Sequence, residues 1–418
     1  MIPLDEAQAE LVAACPRQEA VVRPVRLALG CVCAEDIVAP YAVPPFENSS
    51  VDGYAVRAAD VAAATDDHPV TLSVLGAVHA GSVATRPVLG GQAWKVMTGA
   101  ALPPGTDAVV MVENTSAHAG RLTATLGESV LVYRGGPAGA GVRQAGSDVA
   151  AGEVVIEAGT QLEAAHLGVL ASVGLRSVRV YPRLRVGVLV TGDELVTETR
   201  PLGPGEIYES NSAMIAALLQ QSNCVPIELG VADDDPDALA ARMVAAASEC
   251  DAIVTTGGVS MGDADPVKAA LASMGRLHWL QVSIRPAKPF AYALLDGPRG
   301  PIPLFGLPGN PVSSLVSFEL LARPALRAMA GHSALHRVQV VAIADAPLTS
   351  TGTDGRTTHL RVRMAFAPDG RLHVRPVAAQ DSHQLAQTAR ADGLAELPPG
   401  CTVQPGGEVL VRALRWDP

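Results

Sequence analysis

The stretch Ala252-Ile253-Val254-Thr255-Thr256-Gly257-Gly258-Val259-Ser260-Met261-Gly262-Asp263-Ala264-Asp265-Pro266 joins a short apolar run to a helical pattern through glycines and two carboxylates. The run reads as a buried strand, and the paired glycines let backbone approach a ligand closely. Pro266 suits the first turn of a following helix, whose free N–H groups favour an anion. Asp263 and Asp265 are hard oxygen ligands of the kind Mg2+ takes beside phosphates. The same residues would also serve as a tight turn with an aspartate cap, so the neighbouring sequence has to decide.

From residue 184 to about 330 the pattern alternates strands with helices, which predicts a mostly parallel sheet covered on both faces. Strands are expected at 186–190, 226–231, 252–255 and 302–305, and helices at 212–221, 236–248, 266–274 and 312–329. Residues 278–295 read as two adjacent strands joined by a turn at Pro286-Ala287. In such a sheet, ligands sit beyond the carboxyl ends of the strands. Three of those ends are chemically unusual: Thr191-Gly192-Asp193-Glu194-Leu195, the Gly257 loop, and Gly306-Leu307-Pro308-Gly309-Asn310-Pro311. In the third, Asn310 is placed to cap a helix, with Pro311 at its first position and Ser313 and Ser314 inside it. One such loop is an ordinary turn; three on neighbouring strand ends indicate a phosphorylated ligand. Arg285-Pro286-Ala287-Lys288-Pro289-Phe290 adds two cations on a stiff, proline-flanked turn, suited to phosphate or oxyanion oxygens. In Asp233-Asp234-Asp235, Asp235 is a natural helix cap, which leaves Asp234 as a candidate for the site.

Outside this region the chain is β-rich. Residues 3–14 read as an amphipathic helix and 21–41 as short strands; 70–78, 93–97 and 108–113 are strands within a β unit over 46–141. We therefore expect a discontinuous mixed domain at 1–45 and 142–183, the β insertion at 46–141, the α/β domain at 184–331 and a small, barrel-like β domain at 332–418. With 418 residues, 48% of them hydrophobic, the chain has ample core for several domains. A net charge of −11 without a basic block argues against nucleic acid or a membrane surface as partner. Residues 1–6 are acidic and lack the basic and apolar regions expected of a signal peptide, and no apolar stretch is long enough to span a bilayer. Cys15, Cys31, Cys33, Cys224, Cys250 and Cys401 form no CxxC pair, which predicts reduced thiols in a cytoplasmic protein. The chain also lacks a P-loop, an opening GxGxxG, HExxH and GxSxG, removing the common NTPase, dinucleotide, zinc-hydrolase and acyl-enzyme readings.

Six motifs in order, PPFENSSVDGYA (44–55), KVMTGA (95–100), VTGDEL (190–195), GGVSMGDAD (257–265), RPAKPFAYA (285–293) and FGLPGNPVSS (305–314), resemble the molybdopterin molybdenumtransferase family. This is the bacterial MoeA type, found also as the E domain of gephyrin, and the resemblance spans essentially the whole chain. It implies a four-part, L-shaped protomer forming a homodimer, with an α/β domain like that of MoaB and Mog. The implied reaction inserts molybdate into adenylylated molybdopterin with Mg2+-dependent release of AMP. Asp52 and Thr98 would face the active cleft of the other chain, and Glu194, Asp234, Asp263, Asp265 and Lys288 would line the α/β side. Glu194, Asp263 and Asp265 would hold Mg2+, while Arg285 and Lys288 attract the oxyanion. Gly257, Gly258, Ser260, Gly262, Pro308, Gly309, Asn310 and Ser313 would cradle the pterin phosphate or adenylate, joined by Arg361 and Ser382 from the last domain. Implied partners are the molybdopterin adenylyltransferase and apo-molybdoenzymes. Arg285 stands where many relatives carry lysine, and the stretch around Ser382 is less glycine-rich than usual. An adenylyltransferase or a cofactor-binding scaffold are the alternative readings.

Overall fold

The computed structural model describes residues 1–118, 127–232, 235–257, 270, 277–298, 300–350, 352 and 354–415. The chain forms two compact units: residues 1–35, 158–163 and 178–418 in one, 36–157 and 164–177 in the other. The first is built on a six-stranded sheet in the order Val225–Ala232, Arg185–Thr191, Ala252–Thr256, Gly300–Leu307, Pro289–Gly297, Leu277–Gln281. The first four strands pair parallel, and Pro289–Gly297 runs antiparallel to both of its neighbours, Gly300–Leu307 and Leu277–Gln281. Burial on both faces explains the near-continuous apolar run of the 185–191 strand, all buried beyond Arg185. Successive side chains serve opposite cores. Val186, Val188, Val254 and Phe305 pack with Ile215, Leu219, Val316 and Leu321 of the helices on one side, and with Ala7 and Leu11 of the N-terminal helix Leu4–Ala14. Leu189, Ile253 and Leu304 pack with Leu239 and Met243 of the helix Pro236–Ala247 on the other.

The helix expected at 312–329 is interrupted. Its segments Pro311–Ser317 and Arg323–Met329 flank a π-helical turn, Phe318–Ala322. Pro324 accounts for it: lacking an N–H and crowding the carbonyl four residues back, it is accommodated by a wider turn before it. Glu319 in that turn is buried and ion-paired to Arg337 at 2.8 Å, with Arg323 at 3.8 Å. The helix expected at 266–274 lies outside the described residues, apart from Ala270.

In the same unit, Gln339–Ala344, Thr357–Phe366, Leu372–Pro376, Gly393–Leu397 and Glu408–Ala413 close into a five-stranded barrel. Closure follows from the 357–366 strand pairing with both 372–376 and 393–397. Leu360, Val362, Val374, Ala395 and Val411 fill its interior. The link expected to be a simple turn at Pro286-Ala287 is instead a detour. Residues 277–281 and 289–297 do pair, but between them Ile284–Arg285 leaves to form a parallel edge strand on Thr357 and Thr358 of the barrel. Prolines at 286 and 289 cannot donate to a ladder, so the chain cannot run straight through as a hairpin. Ala287 completes the excursion at φ 78°, a left-handed conformation that costs a non-glycine residue roughly 1–3 kcal/mol.

The second unit carries a mixed five-stranded sheet in the order Ala108–Met111, Gly53–Val56, Gln92–Val96, Val70–Val78, Ser129–Val132. Tyr54, Val56, Leu72, Val74, Val110 and Val130 form its core. The flanking segments meet where Val154–Ile156 pairs with Ile37–Val38. All six cysteines are free thiols, and burial pushes those of Cys15 and Cys224 up to about 12. Among the described residues, no helix is long and apolar enough to cross a membrane.

Candidate active site

The carboxyl ends of three parallel strands converge at the point where the strand order reverses, as the sheet topology requires of a ligand crevice. A cavity of about 840 Å3 opens there, bounded by Thr191, Gly192 and Glu194, by Thr256 and Gly257, and by Pro308, Gly309, Asn310 and Ser313. Two glycines make this meeting possible. Gly257, at φ 89°, passes so close to the first strand that a Cβ would lie 2.3 Å from the Thr191 carbonyl oxygen. At Gly192, φ 148°, a Cβ would fall 2.8 Å from Oε2 of Glu194, whose carboxylate folds back over the glycine. Beneath the cavity runs a buried polar network. Nδ2 of Asn211 donates to Thr256 Oγ1 at 3.0 Å and to the Gly309 carbonyl at 2.7 Å. The Thr256 hydroxyl in turn donates to the Pro308 carbonyl at 3.1 Å and sits 3.2 Å from Ser314 Oγ. The Pro308 and Gly309 carbonyls are thus held by side chains from the neighbouring strand and helix.

A second cavity, of about 370 Å3, lies across Ala287, Pro289 and Ser313, residues that line both. Its other walls include Arg285, Lys288, Arg356 and Ser382. Here the charge is carried by side chains. The Arg285 guanidinium donates through Nη2 to Asp354 at 2.8 Å, and Asp354 is shared with Arg356 at 2.5 Å. Those two guanidinium groups hold the Asp354 carboxyl well below the usual range, Arg356 first. Lys288 has no ion pair among the described residues. Arg285, read from sequence as a cation presented to the oxyanion, is therefore already engaged by a carboxylate.

The barrel reaches this site through the 379–383 loop. Asn310 occupies the cap position of its helix, but its side chain makes no capping bond, contrary to the sequence expectation. Its Nδ2 donates instead to Ser382 Oγ at 3.1 Å, while the Val312 N–H donates to the Ser382 carbonyl at 3.1 Å. The barrel loop thus takes over part of the capping. Arg361 is fully buried and lines neither cavity. Its Nη2 donates to the carbonyls of Ala379 and Asp381 at 3.1 and 3.4 Å, so it supports the loop that carries Ser382. Asp235 caps its helix by accepting from the Asp237 N–H at 3.1 Å.

In the second unit, Asp52 and Thr98 are brought together. Asp52 Oδ1 accepts from the Thr98 N–H at 2.7 Å and from its hydroxyl at 2.8 Å. These bonds, the backbone one first, lower the Asp52 pKa. Gly258, Ser260, Gly262, Asp263, Asp265 and Asp234 lie outside the described residues. Among the described residues no cluster of three His, Cys, Asp or Glu side chains is arranged to hold a metal. Sequence reading passed over Ile207, Tyr208, Asn211 and His383, all of which line the larger cavity. The available signal was local: Ile207-Tyr208-Glu209 falls immediately before the helix Asn211–Gln221, among strand-end loops already singled out.

An open α/β crevice with backbone-lined loops, joined to a cation-bearing annex, defines a protein that binds phosphorylated or oxyanionic ligands. Three family models match the chain consecutively: the MoeA N-terminal region (domain I and II) at 2–174, the probable molybdopterin binding domain at 187–328, and the MoeA C-terminal region (domain IV) at 342–414. The chain is 36% identical to the molybdopterin molybdenumtransferase of Haemophilus influenzae, covering 94% of this chain and 93% of that one. It is also 36% identical to molybdopterin molybdenumtransferase 2 of Mycobacterium tuberculosis, covering 93% of each. The crystal structure of the molybdopterin biosynthesis MoeA protein from Pyrococcus horikoshii superposes with a TM-score of 0.78 at 30% identity, over 99% of this chain and 100% of that one. The chain belongs to the MoeA family of molybdopterin molybdenumtransferases.

Proposed function

We propose that this protein is a transferase of molybdenum cofactor biosynthesis that inserts molybdate into adenylylated molybdopterin and releases AMP. The observation that carries the reading is the pairing of the two cavities across Ala287, Pro289 and Ser313, one lined by strand-end backbone and the other by cations. Cleaving a phosphoanhydride beside an incoming oxyanion concentrates negative charge, and a site for it needs positive charge fixed on both sides. The larger cavity is of nucleotide size, and Gly257 and Gly309, which line it, carry no side chain to keep phosphate oxygens away from their backbone. Lys288, with Arg285 and Arg356 behind it, supplies the field for molybdate, and Ser382 a hydroxyl donor.

Mg2+ would be held by Glu194, Asp263 and Asp265, an all-carboxylate oxygen set whose hardness suits it, and the Glu194 carboxylate lies at the cavity edge. When bound it would offset phosphate charge. Asp52 and Thr98 are a preformed acceptor and hydroxyl pair that we assign to the cleft of a second copy in a homodimer. The four-domain division at 1–45 with 142–183, 46–141, 184–331 and 332–418, a cytoplasmic location, and handover from an adenylyltransferase to apo-molybdoenzymes complete the proposal.

The test incubates purified protein with adenylylated molybdopterin, Mg2+ and either molybdate or tungstate, following AMP release and activation of an apo-molybdoenzyme. AMP release that depends on the oxyanion and is lost in Asp265→Asn and Glu194→Gln is expected. Nucleotide binding without turnover under either oxyanion would overturn the transferase reading in favour of a scaffold.

A further inference from the structure

The larger cavity has an apolar wall that phosphate binding leaves unexplained. Ile207 and Tyr208 both line it and are 52% and 54% exposed; as consecutive strand residues they point their side chains to opposite faces, and Val190 and Leu195 complete the apolar lining. An aromatic residue left half-exposed in the lining of a ligand cavity marks a binding contact. Tyr208 is held in place. Leu195–Val196 and Ile207–Tyr208 form a two-stranded parallel ladder. The Ile207 N–H donates to the Glu194 carbonyl at 2.9 Å, and the Glu209 N–H to the Val196 carbonyl at 3.0 Å. The Tyr208 hydroxyl donates to the Arg200 carbonyl at 2.6 Å. Arg200 is itself stapled to Glu206 by two bonds of 2.7 and 2.8 Å. With its hydroxyl committed, Tyr208 offers the ligand its ring and not an acid or a base. The rest of the lining is largely polar, with Gly257, Gly309, Asn310 and Asn211 beside the carboxylates of Glu194 and Glu209. A ligand that fits both parts of the lining is anionic at one end and flat and apolar at the other.

We propose that Tyr208 forms a stacking platform for a flat heteroaromatic ring of the substrate, adenine or pterin. The inference deepens the proposed function, from which it takes the substrate class. A base stacked on an aromatic side chain gains roughly 5–150-fold in affinity and tolerates any ring with a π face. A pinned phenol loses little freedom on binding, which favours that contribution.

The test compares binding of AMP, ribose 5-phosphate and a free pterin to the full-length protein by calorimetry. The wild type should bind AMP or the pterin more tightly than a ligand without the ring. Tyr208→Ala should abolish that advantage to within about twofold, and Tyr208→Phe should keep it. Loss confined to AMP places adenine on the platform; loss confined to the pterin places the pterin there, and either supports the proposal. Unchanged ratios in Tyr208→Ala, or an equal loss in Tyr208→Phe, overturn it. Should Tyr208→Ala fail to fold, Tyr208→Leu, which keeps bulk but has no ring, is read by the same ratios. Binding is scored apart from turnover, so intact, ring-dependent binding without oxyanion-dependent AMP release would sink the transferase reading and leave the platform standing.

Discussion

The two cavities sit on opposite sides of one short wall and solve anion binding differently. In the larger one, the lining is mainly glycine, proline and neutral polar residues with the Glu194 and Glu209 carboxylates, and Asn211, Thr256 and Ser314 form a buried network that holds the Gly309 carbonyl. In the smaller one they are long cationic side chains, and one of them, Arg285, is moderated by Asp354. Backbone donors are preorganised and keep their polarity at any pH, which suits a phosphate that must be held in place while its anhydride is cleaved. Cations on side chains give a stronger, tunable field, which suits an oxyanion that has to arrive and leave.

The contrast can be broken most severely by acid. His359 is fully buried in the wall of the smaller cavity, with no hydrogen-bond partner at either ring nitrogen among the described residues, and burial lowers its pKa to about 3. Its folded pKa lies below the unfolded value, so its neutral form favours the fold above about pH 6.5, and that stability is lost progressively as pH falls toward 3. The melting temperature should therefore drop over this window. In His359→Leu the drop should be shallower, and an unchanged pH profile would remove His359 from the account. Next in size is Lys288→Ala. Losing a charge-assisted contact of about 1.5–3 kcal/mol should raise the KM for molybdate about 10–100-fold and leave AMP affinity unaltered. Equal loss of both would mean the two cavities are not separate subsites.

Thr256→Val probes the other half. Removing a hydroxyl buried among the Pro308 carbonyl, Asn211 and Ser314 should cost about 1–3 kcal/mol in urea unfolding and weaken AMP binding before molybdate binding. A variant as stable as the wild type would show that the network does not hold the loops. The smallest effect, and of opposite sign, is expected from Asp354→Asn. Its partly exposed pair with Arg285 is worth about 0–1 kcal/mol, so releasing the guanidinium should lower the KM for oxyanion by at most about fivefold, with kcat changed less. A raised KM would show that Asp354 positions Arg285 rather than moderating it.

The strand-end loops at 191–195, 257 and 306–311 were legible because parallel strands buried on both faces leave long apolar runs, and each run stops where glycine and polar residues begin. Asp52 and Thr98 were legible as motif residues, and they meet through a bond from the Thr98 backbone that no side-chain pattern announces. The detour at 282–288 was not legible. Residues 277–281 and 289–297 pair as two adjacent strands should, while the excursion depends on a barrel edge more than seventy residues further along, at Thr357 and Thr358.

By itself the sequence determined the parts whose causes are local: the alternating α/β run, the loops at its strand ends, the β-rich flanks, and glycines where backbone must come close. Only the tertiary structure decided which of those parts share a wall. That Asn310 reaches Ser382, that Asp354 holds Arg285, that Arg361 lies beneath a loop and that Tyr208 stands open in the cavity are all contacts or exposures set by distant segments. The physical reason is that backbone preference acts over a few residues, whereas the partner of a charged or polar side chain is whatever the packed fold brings within about 3 Å.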